Sequence, residues 1–189
     1  MNRWLTAVLT TIFCATMATA ALAETDIGFK GIGGAIGIAD PEDLGAAFDL
    51  SVFANLGTFA PHVAFEGVFD FWSKSENFLT YEYSVKDFAF AGRVTYRFDI
   101  ASNPKIKPFA GGGLGLHFVK TSAPSFSIPG IGIAGGGSDT KVKLGLDFGG
   151  GSNFTVGERL DIVAELWFRL VSDVNQIVVK GGVIYWLGS

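Results

Sequence analysis

The chain has two histidines, His62 and His117, and one cysteine, Cys14. A Ser-His-acid site needs a serine within hydrogen-bond reach of the imidazole. Ser122, Ser125 and Ser127 are close to His117 in sequence, but they fall in a stretch of Gly, Ser and Pro with nothing to hold them against the ring. Their spacing does not point to catalysis, and the chain is read as non-enzymatic. No cluster of His and Cys with ligand spacing is present, so no metal and no cofactor is expected. What remains is a set of charges. Glu66, Arg93, Asp147, Glu165, Arg169 and Lys180 each sit inside an otherwise apolar run. Such residues can do one thing well, which is to form ion pairs where a narrow, low-dielectric space brings them together.

The elements that carry these charges are strands. In Lys86 to Phe98, Phe88, Phe90, Val94, Tyr96 and Phe98 share one parity and Asp87, Ala89, Ala91, Arg93, Thr95 and Arg97 the other. A period of two is a strand with one greasy and one small, polar face, and a helix would scatter both sets. Similar alternation predicts strands over Asp26–Ala39, Ala46–Leu56, His62–Trp72, Tyr81–Phe98, Lys107–Lys120, Lys141–Phe154, Leu160–Leu170 and Gln176–Leu187. Turns follow at Asp40–Asp43, Gly57–Pro61, Ala101–Pro104 and Gly157, with a polar loop at Ser73–Asn77 and a short one at Ser172–Asn175. Helical spacing of Leu160, Val163, Ala164 and Trp167 is also present in the seventh segment, where context favours a strand. Lys30 shares parity with Ile32, Ile36 and Ile38 and is expected to snorkel at a membrane rim. Glu165 and Lys180 flank the Ser172–Asn175 loop almost symmetrically, so hairpin pairing is expected to bring them together.

The longest irregular stretch is Thr121 to Thr140, uncharged until Asp139 and carrying Phe126, Ile128, Ile131 and Ile133 among Gly and Ser. It is read as a loop, either disordered or in contact with an extracellular partner, a host surface or an outer-leaflet lipid.

The first residues, MNRWLTAVLTTIFCATMATAALAE, have Arg3 before an uncharged run and then Ala21-Leu22-Ala23. This is the pattern of a secretory leader, residues 1–23, cleaved after Ala23. Removing 23 of 189 residues leaves 166, one domain over 24–189. That domain has no cysteine, so its stability comes from core, closure or membrane rather than from disulfides. Its 13 basic and 18 acidic side chains leave a net charge of −5. The Lys and Arg are not clustered, which excludes a nucleic-acid footprint.

Volume decides which face points in. Eight strands enclose an interior only just wide enough for side chains, and the bulky Phe, Leu, Ile and Val of the apolar parity would overfill it. The apolar face therefore looks outward, toward lipid, and the charges look inward. Trp72, Tyr81, Tyr83, Phe98, Phe109, Tyr185 and Trp186, near strand ends, are expected to form interfacial girdles.

With its leader, eight alternating strands, the Lys107-Pro108-Phe109-Ala110-Gly111-Gly112-Gly113-Leu114-Gly115 opening of the fifth strand and the closing Gly182-Val183-Ile184-Tyr185-Trp186, the chain resembles the small outer-membrane β-barrels of Gram-negative bacteria, the OmpA-barrel, OmpX and opacity-protein group. The resemblance implies an all-β, eight-stranded antiparallel up-and-down transmembrane β-barrel in the cell outer membrane, surrounded by outer-membrane lipid, with a structural or surface-interaction role. The His-x-Ser signature of barrels that deacylate lipid A is absent, since Phe118 and Val119 follow His117. The expected lumen is plugged by ion pairs of Glu66, Arg93, Asp147, Glu165, Arg169 and Lys180. The alternatives are a small OmpW-like channel for ions or hydrophobic solutes and a soluble ligand-binding barrel of lipocalin type.

Overall fold

The structure, a computed structural model, describes residues 25–78, 81–128, 132–172 and 174–188. The expected leader and its expected cleavage point at Ala23 lie outside them. Eight antiparallel strands close in sequence order: β1 (Asp26–Pro41), β2 (Ala47–Ala60), β3 (Val63–Phe78), β4 (Tyr81–Arg97), β5 (Ile106–Ile128), β6 (Gly132–Thr155), β7 (Leu160–Val171) and β8 (Gln176–Trp186). β1 pairs with both β2 and β8, so the wall satisfies its own hydrogen bonds, as a bilayer requires.

The sense of the alternation is the expected one. Phe90 is 57% and Leu144 65% exposed, whereas Asp87 and Arg93 are each 1%. Outward aromatics pair across strands, with ring centroids 5.0 Å apart for Phe69 and Phe90, 4.7 Å for Phe71 and Phe88, and 5.3 Å for the stacked Phe148 and Phe168. Each such pair adds about 1 kcal/mol or less. From Phe88 to Phe98, at about 3.3 Å per residue and a tilt near 40°, the apolar face rises about 25 Å, the height of a lipid-facing band.

Four expectations are corrected. Thr121 to Thr140 is not an irregular loop. β5 and β6 run on as a paired ribbon, through Thr121↔Asp139 and Ser122↔Ser138 to Ile128↔Gly132. Both faces of such a ribbon lie beyond the apolar band, so the alternation that marks the other strands is not needed there. Pro124 fits because β5 has passed its last β4 partner, at Ser84↔Ser122, and so sits on an edge. Ile131 lies outside the described residues, as do the side chains of Phe126, Ile128 and Ile133. Likewise Ser73–Asn77 is strand, paired with β4 through to Phe78↔Tyr81.

Third, the girdle is only partly aromatic as expected. Tyr83, Phe98 and Tyr185 are exposed, but Trp72 is fully buried inside, and Phe109, also on the inward parity, is buried toward the other end of the lumen. Trp72 follows outward Phe71, and alternation alone turns it inward. Trp186 is part-buried and donates to Asp161 (2.9 Å). The side chain of Tyr81 lies outside the described set. Fourth, a β-bulge between Ile27 and Gly31 shifts the parity of β1, so that Phe29 and Ile32 both face out. Lys30 is thereby released from the isoleucine face and pairs with Asp26 at 2.6 Å.

Inside, large side chains sit beside glycines. Arg93 registers with Gly113, Trp167 with Gly149 and Lys180 with Gly37. A Cβ on Gly113 would lie 2.8 Å from Arg93 Cγ, and one on Gly37 2.8 Å from Lys180 Cγ. The glycine-rich opening of β5 thus makes room for its neighbours' side chains. Two apolar clusters bracket the middle of the lumen. One contains Ala39, Trp72, Val85, Val119, Val174 and Val178, toward the end carrying the β5–β6 ribbon. The other contains Phe53, Val68, Phe109, Val163, Trp167 and Ile184, toward the termini.

Candidate functional site

Between the two apolar clusters lies a charge network drawn from six strands. Asp70 of β3 is its hub. Oδ2 accepts from Arg169 Nη2 at 2.6 Å and Arg93 Nη2 at 3.3 Å. Oδ1 accepts from Lys180 Nζ at 2.8 Å and from the Ser51 hydroxyl. Arg93 also donates through Nε (3.0 Å) and Nη2 (2.7 Å) to Asp147 Oδ2. Its guanidinium lies 4.2 Å from the Trp167 ring centroid, and Trp167 Nε1 donates to Glu165 Oε2 at 3.0 Å. Lys180 reaches Glu165 at 3.8 Å, and Arg169 has Asp49 at 3.9 Å and Asp147 at 4.0 Å. Every one of these side chains is buried.

Register explains the connectivity. One inward row reads Glu66, Arg93, Gly113, Asp147, Arg169 and Gln176 across β3 to β8. Gly113 leaves a gap, and Arg93 crosses it to reach Asp147. A second row reads Glu165, Lys180, Gly37 and Asp49. Over Gly37, Lys180 passes β1 and reaches Ser51 and Asp70. A cation freed of water in this way needs several acceptors, and the network supplies them.

Of the residues singled out from sequence, Arg93, Asp147, Glu165, Arg169 and Lys180 are brought together, and Glu165 and Lys180 are register partners as expected. Glu66 is not in the network. Although it registers with Arg93, Arg93 is drawn the other way by Asp147. Glu66 instead meets Arg97 at 3.8 Å and accepts from Asn55 Nδ2 at 3.3 Å, nearer the termini. Sequence reasoning missed the hub, Asp70, and its neighbours Asp49 and Ser51. The available signal was their inward parity at mid-strand, the same signal that marks Arg93.

A third polar group lies toward the ribbon end. His117 Nδ1 is 2.8 Å from Asp87 Oδ2, which also accepts from Gln176 Nε2 (3.0 Å), and Trp72 Nε1 donates to Gln176 Oε1 (3.0 Å). The other imidazole nitrogen faces Gly145, where an added Cβ would lie 2.6 Å from Nε2. Ser122 is on the opposite, outward parity from His117, so the strand itself separates them. His62 stands at a turn, 3.5 Å from Asp99. Among the described residues, no group of three or more His, Cys, Asp or Glu is arranged to hold a metal ion. Beyond Val85, Val119 and Val174, an open vestibule of about 430 Å³ is edged by Glu42, Asp43, Asp139 and Lys141.

The sequence profile described as outer membrane protein beta-barrel domain matches residues 6–185. No curated protein sequence matches the chain. Among solved structures, Neisserial surface protein A is 17% identical with a TM-score of 0.58, over 83% of this chain and 95% of that one. Ail, the attachment invasion locus protein of Yersinia pestis, is 16% identical with a TM-score of 0.56, over 84% and 97%. The outer membrane protein OprG from Pseudomonas aeruginosa is 15% identical with a TM-score of 0.57, over 88% and 100%. At these identities the likeness is one of fold. The family match, together with the outward apolar face, places the chain in the outer membrane and removes the soluble lipocalin-type alternative.

Proposed function

Because the chain belongs to the outer membrane protein β-barrel family, we propose that it is a non-catalytic barrel of structural or surface-interaction type whose lumen is plugged by the Asp70 network. The observation that carries this reading is the burial of three cations and four carboxylates in one network of hydrogen bonds and ion pairs between two apolar clusters. An eight-stranded barrel has little bore to spare, and here its cross-section is spanned from β2 to β8. An ion crossing it would have to displace Asp70 from three cations at once.

Planar-bilayer recording tests the plug against the channel alternative. The protein is expected to give no steady conductance steps in concentrated KCl, and stable steps at low voltage in the unmodified protein would overturn the reading.

The surface role is assigned to the β5–β6 ribbon, residues 121–140, which extends about 25 Å of paired strand beyond the lysine-bearing edge of the apolar band. A fold relative supports the class of function, since Ail of Yersinia pestis has been crystallised with the heparin analogue sucrose octasulfate. Replacing 123–137 by a two-residue Asn-Gly turn is expected to abolish adhesion of expressing cells to a host-cell layer while leaving heat-modifiable gel mobility intact. Unchanged adhesion would remove the ribbon from the role.

A further inference from the structure

On the outward face of β4 and β5 the registered pairs are Gly92–Leu114, Phe90–Leu116 and Phe88–Phe118, then Lys86–Lys120, then Ser84–Ser122. The wall thus changes in one step from aromatic to doubly cationic. It does so at the end from which the β5–β6 ribbon extends, the longest excursion beyond the apolar band, and the longer excursions face outside the cell in such barrels. Both lysines are exposed. Like charges directly opposite on paired strands repel, with Cβ atoms about 5 Å apart.

Among the described side chains neither lysine has a carboxylate within 4.0 Å. Their neighbours along the row are Ser73 of β3 and Thr140 of β6, which bring hydroxyls and no acid. The next acid on the same parity of β4 is Glu82, about 13 Å further along the strand. At the other end of the barrel, by contrast, Lys30 has its own acid, Asp26, at 2.6 Å.

We propose that Lys86 and Lys120 bind the phosphate of a phosphorylated outer-leaflet lipid, shared between the two ammonium groups and flanked by the hydroxyls of Ser73, Ser84, Ser122 and Thr140. The anion comes from a lipid rather than from solution because the pair lies on the lipid-facing parity, directly above Phe88 and Phe118. Those two rings give the acyl chains of the same molecule a surface to lie on. The assignment goes beyond the proposed function and does not depend on whether the lumen conducts.

The test uses the folded full-length barrel in neutral detergent, with native mass spectrometry counting bound lipid. The probes are bisphosphorylated lipid A, the same lipid dephosphorylated, and inorganic pyrophosphate. The unmodified protein is expected to favour the bisphosphorylated lipid by about thirtyfold, about fivefold per lysine. The Lys86→Gln/Lys120→Gln variant is expected to lose that preference, Lys86→Arg/Lys120→Arg to keep it, and Lys105→Gln/Lys107→Gln, at the opposite end, to leave it unchanged. Single Gln variants, each expected to lose about fivefold, carry the comparison should the double variant not fold. Equal binding of the dephosphorylated lipid, or of the double Gln variant, would overturn the site. Full competition by equimolar pyrophosphate would overturn its assignment to a lipid.

Discussion

Replacing Asp70 with alanine asks whether the lumen is dry. The carboxylate accepts from Arg169 at 2.6 Å, Lys180 at 2.8 Å and Arg93 at 3.3 Å, besides Ser51. Without it, Arg169 keeps only Asp49 and Asp147, at 3.9 and 4.0 Å, and Lys180 keeps Glu165 at 3.8 Å and Ser51 at 2.8 Å. Arg93 is the least affected, since Asp147 remains at 2.7 Å. Two of three buried cations therefore lose their best acceptor. Breaking a buried pair on one side costs about 3 to 5 kcal/mol, so Asp70→Ala is expected to destabilise the barrel by about 4 kcal/mol. If water filled the bore, it would solvate the orphaned cations and the loss would fall to about 1 kcal/mol.

The measurement is urea unfolding of the barrel refolded into lipid vesicles, followed by heat-modifiable gel mobility and tryptophan emission. Asp139→Ala is the reference. Its pairing with Lys141 is at 4.0 Å and largely exposed, and its loss is expected to change stability by less than about 0.5 kcal/mol. Asp70→Asn, which keeps the shape and some acceptors, should fall between the two. A value for Asp70→Ala within about 1 kcal/mol of the unmodified protein would refute the dry, bridged lumen and with it the plug.

Four other outcomes are expected. Gly113→Val, whose Cβ would meet Arg93 Cγ at 2.8 Å and the Gly92 carbonyl oxygen at 2.5 Å, should cost about 2 kcal/mol or prevent folding. Outward Gly34→Ala, with its nearest neighbour at 3.6 Å, should be neutral in the same urea assay. Trp72 and Trp167, fully buried in the lumen, should be little quenched by lipids brominated on their acyl chains, whereas a tryptophan introduced by Phe90→Trp should be strongly quenched; the reverse order would invert the barrel's sidedness. Finally, mass spectrometry of the protein taken from outer membranes should find a mature chain starting at Glu24, and a chain retaining Cys14 would contradict the leader.

What was legible in sequence is what alternation and volume determine. Phe88 to Phe98 shows a strand at a glance, and the bulk of that face compared with the bore of eight strands settles which way it points. Partners inside the bore were harder to read, because they depend on reach across strands that are not adjacent. Glu165 and Lys180 pair through a hairpin and could be matched. Arg93 and Asp147 meet only because Gly113 lies between them, and Lys180 meets Asp70 only because Gly37 does. Asp70 itself looks like any inward acid until three cations converge on it. Trp72 and Phe109 were misplaced because aromatic residues near strand ends were weighed by type rather than by parity. The extension of β5 and β6 escaped notice for the opposite reason: a ribbon beyond the lipid carries no apolar stripe, and its order rests on backbone pairing that composition does not reveal.

That ribbon has a mechanical corollary. Its two strands are the same continuous chains that form adjoining staves of the wall, joined rung by rung from Ile128↔Gly132 down to Ile106↔Phe154. Tension on the tip therefore runs lengthwise down both strands and loads the rungs that join them to β4 and β7 in shear, all together, rather than peeling them one by one. Whatever grips the tip pulls on the whole cylinder, and the cylinder is anchored by its greasy belt in the bilayer.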